Sequence, residues 1–198
     1  MGSAFRPLRV ASSVLTAAIA VFTFAAVTAQ PVLAQDAKTV ALGFSGGASF
    51  PTGRLDDGAS TGYALAGHLY VNPTQFRAVR FRGDVSFDRW DVKGDAPGVE
   101  GSARVLGFVA NVLYEFQGSD DSRLRPYVIG GVGAFNQKVT ESYGGLSANA
   151  NETNVGVQAG GGFMMTLSGF STFLEAKYLT AYSNDSWSWI PVTVGVRF

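Results

Sequence analysis

Apolar and polar residues alternate with a period of two along most of the chain from residue 38 to residue 198. This is the period of β-strands, whose successive side chains point to opposite faces. The alternating stretches are roughly ten residues or longer and end at Gly, Pro, Asn, Asp or Ser, which favour turns. No apolar stripe with the 3.6-residue period of a helix persists in this part of the chain. The pattern predicts an all-β chain without helices and with eight strands, at 39–50, 60–71, 77–92, 103–117, 125–140, 153–167, 170–183 and 187–198.

The connections between the predicted strands alternate in length. The longer ones follow the first, third and fifth strands, at 51–59, 93–102 and 141–152, whereas 72–76, 118–124 and 168–169 are shorter. The connection at 184–186 is an exception, because it is short where a long one is expected. Short turns at one end and longer loops at the other are typical of transmembrane β-barrels. The spacing therefore favours an eight-stranded antiparallel up-and-down barrel.

One face of five predicted strands carries no charge. In the third strand, Val79, Phe81, Gly83, Val85 and Phe87 alternate with Arg80, Arg82, Asp84, Ser86 and Asp88. A soluble barrel that binds lipid inside shows the same alternation with its apolar face inward, so the alternation alone leaves both arrangements open.

Aromatic residues at both ends of the apolar stripes favour the membrane. Phe50, Tyr63, Phe87, Tyr182 and Trp187 lie near the longer loops, and Phe76, Tyr114, Phe116, Tyr127, Phe170 and Phe198 lie near the shorter turns. Two aromatic belts that flank an apolar band are typical of a protein crossing a bilayer. We therefore predict that the apolar face contacts lipid.

The polar faces carry four charges of each sign. The cations are Arg80, Arg82, Lys177 and Arg197, and the anions are Asp84, Asp88, Glu115 and Glu175. Isolated charges in a narrow interior cost several kcal/mol each, whereas opposite charges that pair recover much of this cost. The interior of an eight-stranded barrel is just wide enough for side chains to fill it. We therefore expect a charge-paired lumen without an open pore.

Composition and charge exclude several classes of function. The chain has 15 basic and 15 acidic residues, one histidine and no cysteine. A balanced charge supplies no positive field for nucleic acid, and the absence of cysteine excludes thiol catalysis and cysteine-rich zinc sites. The acidic residues near the longer loops have no spacing of a dedicated Ca²⁺ or Mg²⁺ site, so we expect solvated loops, no metal and no cofactor.

The first 34 residues resemble a cleavable secretory signal peptide. Arg6 and Arg9 precede an uncharged apolar run at 10–29, and Val32 and Ala34 occupy the −3 and −1 positions of a cleavage site. The prediction is a signal peptide at 1–34 and a barrel domain at 35–198. A permanent transmembrane helix is the alternative, because the apolar run is about long enough to span a bilayer.

The mature chain resembles a known family. The matching segments are GFSGGASFP at 43–51, RPYVIGGVG at 125–133 and VTVGVRF at 192–198. They are similar to the small outer-membrane β-barrel proteins of the OmpA transmembrane-domain and OmpX kind. The resemblance implies a monomer in the outer membrane of a diderm bacterium, in contact with outer-membrane lipids and lipopolysaccharide. It also implies that the outer-membrane assembly machinery reads Val194, Val196 and Phe198 in the last strand.

The same resemblance raises one enzymatic alternative. Lipid A deacylases and palmitoyltransferases of this barrel size use a His with a Ser, and His68 falls on the inward parity of the second strand. No Ser lies two residues after His68, and Ser86 is the nearest inward hydroxyl that the sequence offers. We therefore expect His68 to belong to the lumen charge network and the protein to have a structural or surface-interaction role without enzymatic activity. The alternatives are a lipid A- or phospholipid-modifying enzyme that uses His68 and a secreted soluble lipid-binding barrel.

Overall fold

The computed structural model describes residues 39–73, 75–76, 78–93, 100–116, 124–143, 146–182 and 186–198. They contain an eight-stranded closed barrel in which every strand is antiparallel to both neighbours, including β1 to β8. The strands are β1 Val40–Thr52, β2 Gly62–Val71, β3 Val79–Lys93, β4 Glu100–Glu115, β5 Leu124–Tyr143, β6 Leu146–Thr166, β7 Ser171–Ala181 and β8 Trp187–Arg197. The predicted all-β up-and-down fold is confirmed. The predicted signal peptide lies outside the described residues.

No helix among the described residues combines the length and apolar character that crossing a membrane requires. The expectation of no helix at all is wrong by one turn, because Gly53–Leu55 forms a 3₁₀-helix after β1. Gly53 has a φ of 62°, a left-handed conformation that glycine adopts without strain. This turn brings Leu55 inward against side chains at the end of the lumen where β1 is joined to β2. We call this end the long-loop end, after the longer connections that the sequence predicts there, and the opposite end the short-turn end.

The predicted loop at 141–152 is wrong, because the β5–β6 ladder continues through it. Pairing extends from Leu124↔Met165 to Tyr143↔Leu146, with Lys138↔Asn151 and Thr140↔Asn149 between them. The sequence pattern missed this extension because one set of alternate positions is polar throughout, and Glu141 and Glu152 interrupt the apolar residues of the other set. Backbone hydrogen bonds do not require apolar side chains, whereas the alternation used to find strands does.

The outer face of the barrel is apolar, whereas the charged side chains buried among the described residues lie inside. On β4, Phe108 and Val112 are exposed, whereas Asn111 and Glu115 on the alternate positions are buried. A soluble lipid-binding barrel requires the opposite arrangement, so that alternative is wrong.

Most of the predicted belt aromatics lie on the outer face, but two do not. Tyr127 is buried inside the barrel, and Trp187 packs against interior side chains. Both residues occupy inward-facing positions in the alternation of their strands, so their side chains enter the lumen although they lie near the barrel ends.

Two apolar clusters fill the lumen above and below its polar centre. The upper cluster, at the long-loop end, is built around Trp90, Phe135 and Trp189, all fully buried. The Trp189 ring contacts the other two edge-on, with centroid distances of 5.8 Å to Trp90 and 5.5 Å to Phe135. The lower cluster comprises Ala41, Tyr70, Leu113, Tyr127, Ile129, Met164 and Phe173.

Glycines make room for these interior side chains. A Cβ at Gly131 would lie 2.1 Å from the Asn111 side-chain oxygen, and one at Gly156 would lie 2.8 Å from the Phe135 ring. Neither contact is sterically possible without displacement, so the narrow interior explains part of the chain's high glycine content.

A charge placed on the outer face tests the membrane assignment. Val112→Arg, near the middle of the apolar band, is expected to cost about 2–4 kcal/mol, whereas Phe116→Arg at the aromatic belt costs about 0–1 kcal/mol. Urea unfolding in lipid vesicles measures both values. Equal losses at the two positions would contradict a lipid-facing apolar band.

Candidate functional site

The central feature of the lumen is an ion pair that crosses the barrel. Arg82 of β3 donates Nη1 to Glu175 Oε2 at 2.7 Å and Nη2 to Glu175 Oε1 at 2.9 Å, although β7 is not a neighbour of β3. Arg82 also contacts Asp84 on its own strand, with Nη2 2.9 Å from Oδ2. All three side chains are buried. A bidentate guanidinium–carboxylate pair fixes both direction and distance, so it ties opposite walls of the barrel together.

The same carboxylate oxygens have further partners. Lys177 Nζ lies 3.1 Å from Glu175 Oε1 and 3.5 Å from Asp84 Oδ2. Tyr127 donates its hydroxyl to Glu175 Oε2 at 2.8 Å, and Asn111 donates Nδ2 to Asp84 Oδ2 at 3.0 Å. Two cations therefore balance two anions, and neutral donors satisfy the rest. We call Arg82, Asp84, Glu175 and Lys177 the central ion cluster.

Gln158 joins this cluster through its amide. Its Nε2 donates to Asn111 Oδ1 and lies 3.4 Å from Asp84 Oδ2. Neither Asn111, Gln158 nor Tyr127 was predicted as a site residue. Asn111 and Gln158 occupy inward-facing positions in the alternation of their strands. Only the folded barrel shows that their side chains reach Asp84.

His68 links the central ion cluster to a serine. His68 Nδ1 lies 2.8 Å from Asp84 Oδ1, and His68 Nε2 lies 2.9 Å from Ser45 Oγ. Ser45, His68 and Asp84 thus have the connectivity of a serine–histidine–aspartate triad. The expectation that Ser86 is the hydroxyl nearest to His68 is wrong. Ser45 was missed because it lies 23 residues before His68, on β1, where only the β1–β2 register places it.

The surroundings of this triad enclose its imidazole and its carboxylate. The side chains of His68 and Asp84 are 0% and 1% exposed, and the Phe173 ring contacts the imidazole edge-on at 5.6 Å. The main chain at Ser45 is paired on both sides, with Ala66 and Gly195, so its ladder hydrogen bonds occupy the N–H groups that an oxyanion needs. Asp84 also serves Arg82 and Lys177. The geometry supplies a nucleophile and a base in hydrogen-bond contact, without an evident oxyanion site.

A second set of charges lies at the short-turn end. Arg80 donates Nη2 to Glu115 Oε2 at 2.8 Å and Nη1 to Asn72 Oδ1 at 2.8 Å. Arg197 Nη1 lies 3.7 Å from Glu115 Oε1. The Tyr70 ring separates this group from the central ion cluster, with the guanidinium carbons of Arg82 and Arg197 at 5.7 Å and 5.2 Å from its centroid.

A cavity of about 340 Å³ opens beside this second group. Its lining includes Arg80, Arg197, Asn72, Ser171 and Phe198. The short-turn mouth therefore contains a recess in which two arginines lie beside apolar side chains, among them Phe170 and Phe198.

The predicted lumen charges thus fall into two groups with one residue left over. Asp88 accepts a hydrogen bond from Ser49 Oγ at 2.8 Å beside the upper cluster. Among the described side chains, no ion pair joins it to a cation. Asp88 therefore lies in the lumen but outside the two groups of directly paired charges.

The predicted assembly residues lie on the outer face of the closing strand. Val194 and Phe198 are exposed and Val196 is half-buried, and the Phe198 backbone N–H donates to Leu42 O at 2.8 Å. Their role as an assembly signal stays a prediction. Among the described residues, no group of three or more His, Asp or Glu side chains is placed to hold a metal ion.

Residues 17–198 match the profile of a family described as the outer membrane protein beta-barrel domain. Neisserial surface protein A is 17% identical over 82% of this chain and 98% of its own, with a TM-score of 0.58. A major outer membrane protein from Thermus thermophilus is 12% identical over 81% of this chain and 99% of its own, with a TM-score of 0.57. At these identities the two structures share the fold alone. No curated protein sequence matches the chain.

The central ion cluster makes Arg82 the most sensitive position in the lumen. Arg82→Met leaves the carboxylates of Asp84 and Glu175 with one cation, and we expect it to cost about 3–5 kcal/mol. Adding Glu175→Gln restores the charge balance, so the double variant is expected to be more stable than Arg82→Met alone. Urea unfolding in lipid vesicles, followed by tryptophan fluorescence, measures this coupling.

Arg80→Met is the matched control, because its side chain is 16% exposed and water screens the charge it leaves behind. It is expected to cost less than Arg82→Met. Strictly additive effects of Arg82→Met and Glu175→Gln would contradict a coupled buried pair.

Proposed function

The chain belongs to the outer membrane protein β-barrel domain family, and from this premise we propose that it is a non-enzymatic outer-membrane protein with a closed lumen and a structural or surface-interaction role. The observation that carries the proposal is the filling of the barrel. The Arg82–Glu175 pair spans the lumen, and the fully buried Trp90 and Trp189 fill it at the long-loop end. An ion that crosses must separate the buried pair and displace both indole rings. A filled barrel of this kind acts through its outer surface and its ends.

The end of the barrel where β5 is joined to β6 suits a contact surface, because these two strands extend beyond their neighbours there. The β5–β6 ladder continues to Tyr143↔Leu146, whereas β7 ends at Ala181, which pairs with Gly156. Asn136 donates Nδ2 to Asn151 Oδ1 at 2.7 Å and to Thr153 Oγ1 at 2.9 Å along this extension. These contacts link β5 and β6 at the base of the extension, and the paired extension supports a role in binding at the cell surface.

The proposal includes a route to the membrane. The signal peptide predicted at 1–34 directs export, and the assembly machinery recognises Val194, Val196 and Phe198 and inserts a monomeric barrel. The outward placement of Val194 and Phe198 supports this reading, because side chains on the outer face stay accessible while the last strand is being paired.

Planar-bilayer conductance tests the closed lumen. The wild-type protein is expected to show no conductance steps, because both the central ion cluster and the upper cluster block the lumen. A triple variant, Arg82→Ser, Glu175→Ser and Trp189→Ala, removes one obstacle at each level and is expected to conduct. Trp189→Ala alone is the control and is expected to show no conductance steps, because the central ion cluster still blocks the lumen. Stable ion conductance by the wild type would overturn the closed-lumen proposal.

A second candidate function follows from the Ser45–His68–Asp84 contacts. In a lipid acyl hydrolase, Ser45 Oγ attacks the ester carbonyl, and His68 Nε2 takes the serine proton and gives it to the departing alcohol oxygen as the ester C–O bond breaks. Asp84 orients the imidazole, and water then hydrolyses the acyl–Ser45 ester with His68 as the base. The burial of His68 and the lack of evident oxyanion donors argue against this activity. We therefore assign these three residues to the structural network of the lumen.

Lipid analysis separates the two candidates. Ser45→Ala and His68→Ala are expected to leave the acyl composition of lipid A and phospholipids unchanged, while Ser45→Ala lowers stability by about 0.5–1.5 kcal/mol through one lost hydrogen bond. Mass spectrometry of lipids from cells with wild type, variants and empty vector gives the answer. Ser86→Ala is the matched control, because the Ser86 hydroxyl is buried without a hydrogen-bond partner among the described residues. An acyl change that appears with the wild type and disappears in both triad variants would establish the enzyme.

A further inference from the structure

Three cations lie side by side on the outer face of the barrel near its long-loop end. The register places Arg89 of β3 directly opposite Arg104 of β4, and Arg104 directly opposite Lys138 of β5. Arg89 and Arg104 are exposed and Lys138 is half-buried, whereas their strand neighbours Trp90 and Val105 point inward and are buried. We call Arg89, Arg104 and Lys138 the basic row.

The basic row is unfavourable unless an anion accompanies it. Side chains directly opposite in an antiparallel pair have Cβ atoms about 4.5–5.5 Å apart, and like charges in this position destabilise the sheet. No ion pair joins any of the three to a carboxylate among the side chains that the structure describes. Asp91 lies on the same face of β3, two residues from Arg89, and balances at most one of the three charges.

The position of the basic row relative to the apolar band identifies the environment of that anion. Val85, Phe108 and Ala134 pair with one another on the same three strands and face outward. This row of paired residues lies closer to the middle of the barrel than the basic row, with one row between the two. The row between them contains Phe87, Leu106 and Asn136. Tyr63 of β2, an exposed aromatic residue, pairs with Arg89. The outer face thus changes from an apolar row to a mixed row with one aromatic residue, and then to the basic row beside Tyr63. This order matches that of acyl chains, interface and charged headgroups.

Polar side chains extend the basic row onto β6. Lys138 pairs with Asn151, which accepts a hydrogen bond from Asn136, and Thr153 follows on the same face. Amides and hydroxyls are suitable partners for sugar hydroxyls, whereas the cations suit phosphate. The basic row lies on β3, β4 and β5. Because neighbouring strands are about 4.8 Å apart, Arg89 on β3 and Lys138 on β5 are separated by about 10 Å across the sheet. The surface is therefore wide enough for more than one phosphate.

We propose that Arg89, Arg104 and Lys138 bind the phosphate groups of the lipopolysaccharide headgroup in the outer leaflet. The inference rests on the proposed function, because it requires the long-loop end to lie in the outer leaflet of an outer membrane. It deepens that function by naming the residues and the ligand groups involved. The lipid phosphates neutralise the repulsion within the basic row, and the row in turn anchors a phosphorylated glycolipid against β3–β6.

Lipid binding by the folded protein tests the proposal. The protein in phosphatidylcholine nanodiscs is titrated with fluorescent diphosphoryl lipid A, monophosphoryl lipid A and phosphatidylglycerol. The wild type is expected to bind the diphosphoryl form most tightly. Arg104→Gln weakens binding about two- to fivefold, and the triple variant Arg89→Gln, Arg104→Gln, Lys138→Gln weakens it at least about tenfold, consistent with partly exposed charge pairs. Raising the salt concentration weakens wild-type binding more than that of the triple variant.

Arg125→Gln is the matched control, because it removes an exposed charge at the opposite end of the same barrel. It is expected to leave lipid A binding unchanged. The thermal stability of lipid-free Arg104→Gln in detergent is expected to equal or exceed that of the wild type, because the variant relieves like-charge repulsion. This result also shows that weaker binding does not arise from misfolding.

The outcomes distinguish this inference from the proposed function. If cell fractionation places the protein outside the outer membrane, the proposed function fails and the lipopolysaccharide proposal fails with it. If the protein is in the outer membrane but the triple variant binds diphosphoryl lipid A as tightly as the wild type, only the basic-row proposal fails. Equal wild-type affinity for phosphatidylglycerol and diphosphoryl lipid A overturns the proposed preference for a glycolipid.

Discussion

The structure depends on one constraint, which is that backbone N–H and C=O groups find no water in the hydrocarbon core of a membrane. Each unpaired group there costs several kcal/mol, so strands that cross it must pair on both sides. The pairing of β1 with β8 meets this requirement by removing both sheet edges. Because the strands run antiparallel and are joined in sequence, every connection lies at one of the two ends, where polar backbone can meet water.

Closure also determines what happens inside. An eight-stranded barrel leaves little interior space, so any inward charge must find its partner among a few nearby side chains. Arg82, Glu175 and Asp84 meet this need across the lumen, and His68 and Ser45 satisfy their polar atoms by joining Asp84. The same hydrogen-bond demand that neutralises the lumen thus produces the connectivity of a catalytic triad. Connectivity alone does not establish catalysis, because a triad also needs an oxyanion site and access for a substrate.

The outer surface follows a different rule, because it must match the layers of a membrane. Its middle is apolar, its borders are aromatic, and beyond one border Arg89, Arg104 and Lys138 stand in adjacent positions. Such a row opposes the stability of the isolated protein. Its place directly beyond the apolar band links it to the lipid environment rather than to the barrel itself.

The sequence by itself determined the number of strands and which residues share a face, because period-two alternation and turn residues are local properties. The aromatic belts added the outward direction of the apolar face, and the three matching segments added the family. The sequence also identified most of the inward charges. The tertiary structure alone decided that Arg82 meets Glu175 93 residues later in the chain and that Ser45 rather than Ser86 contacts His68. It likewise separated Asp88 from the other charges and turned Tyr127 inward. These outcomes depend on strand register and on the curvature that brings non-neighbouring strands across the lumen, and neither is encoded in the local alternation of apolar and polar residues.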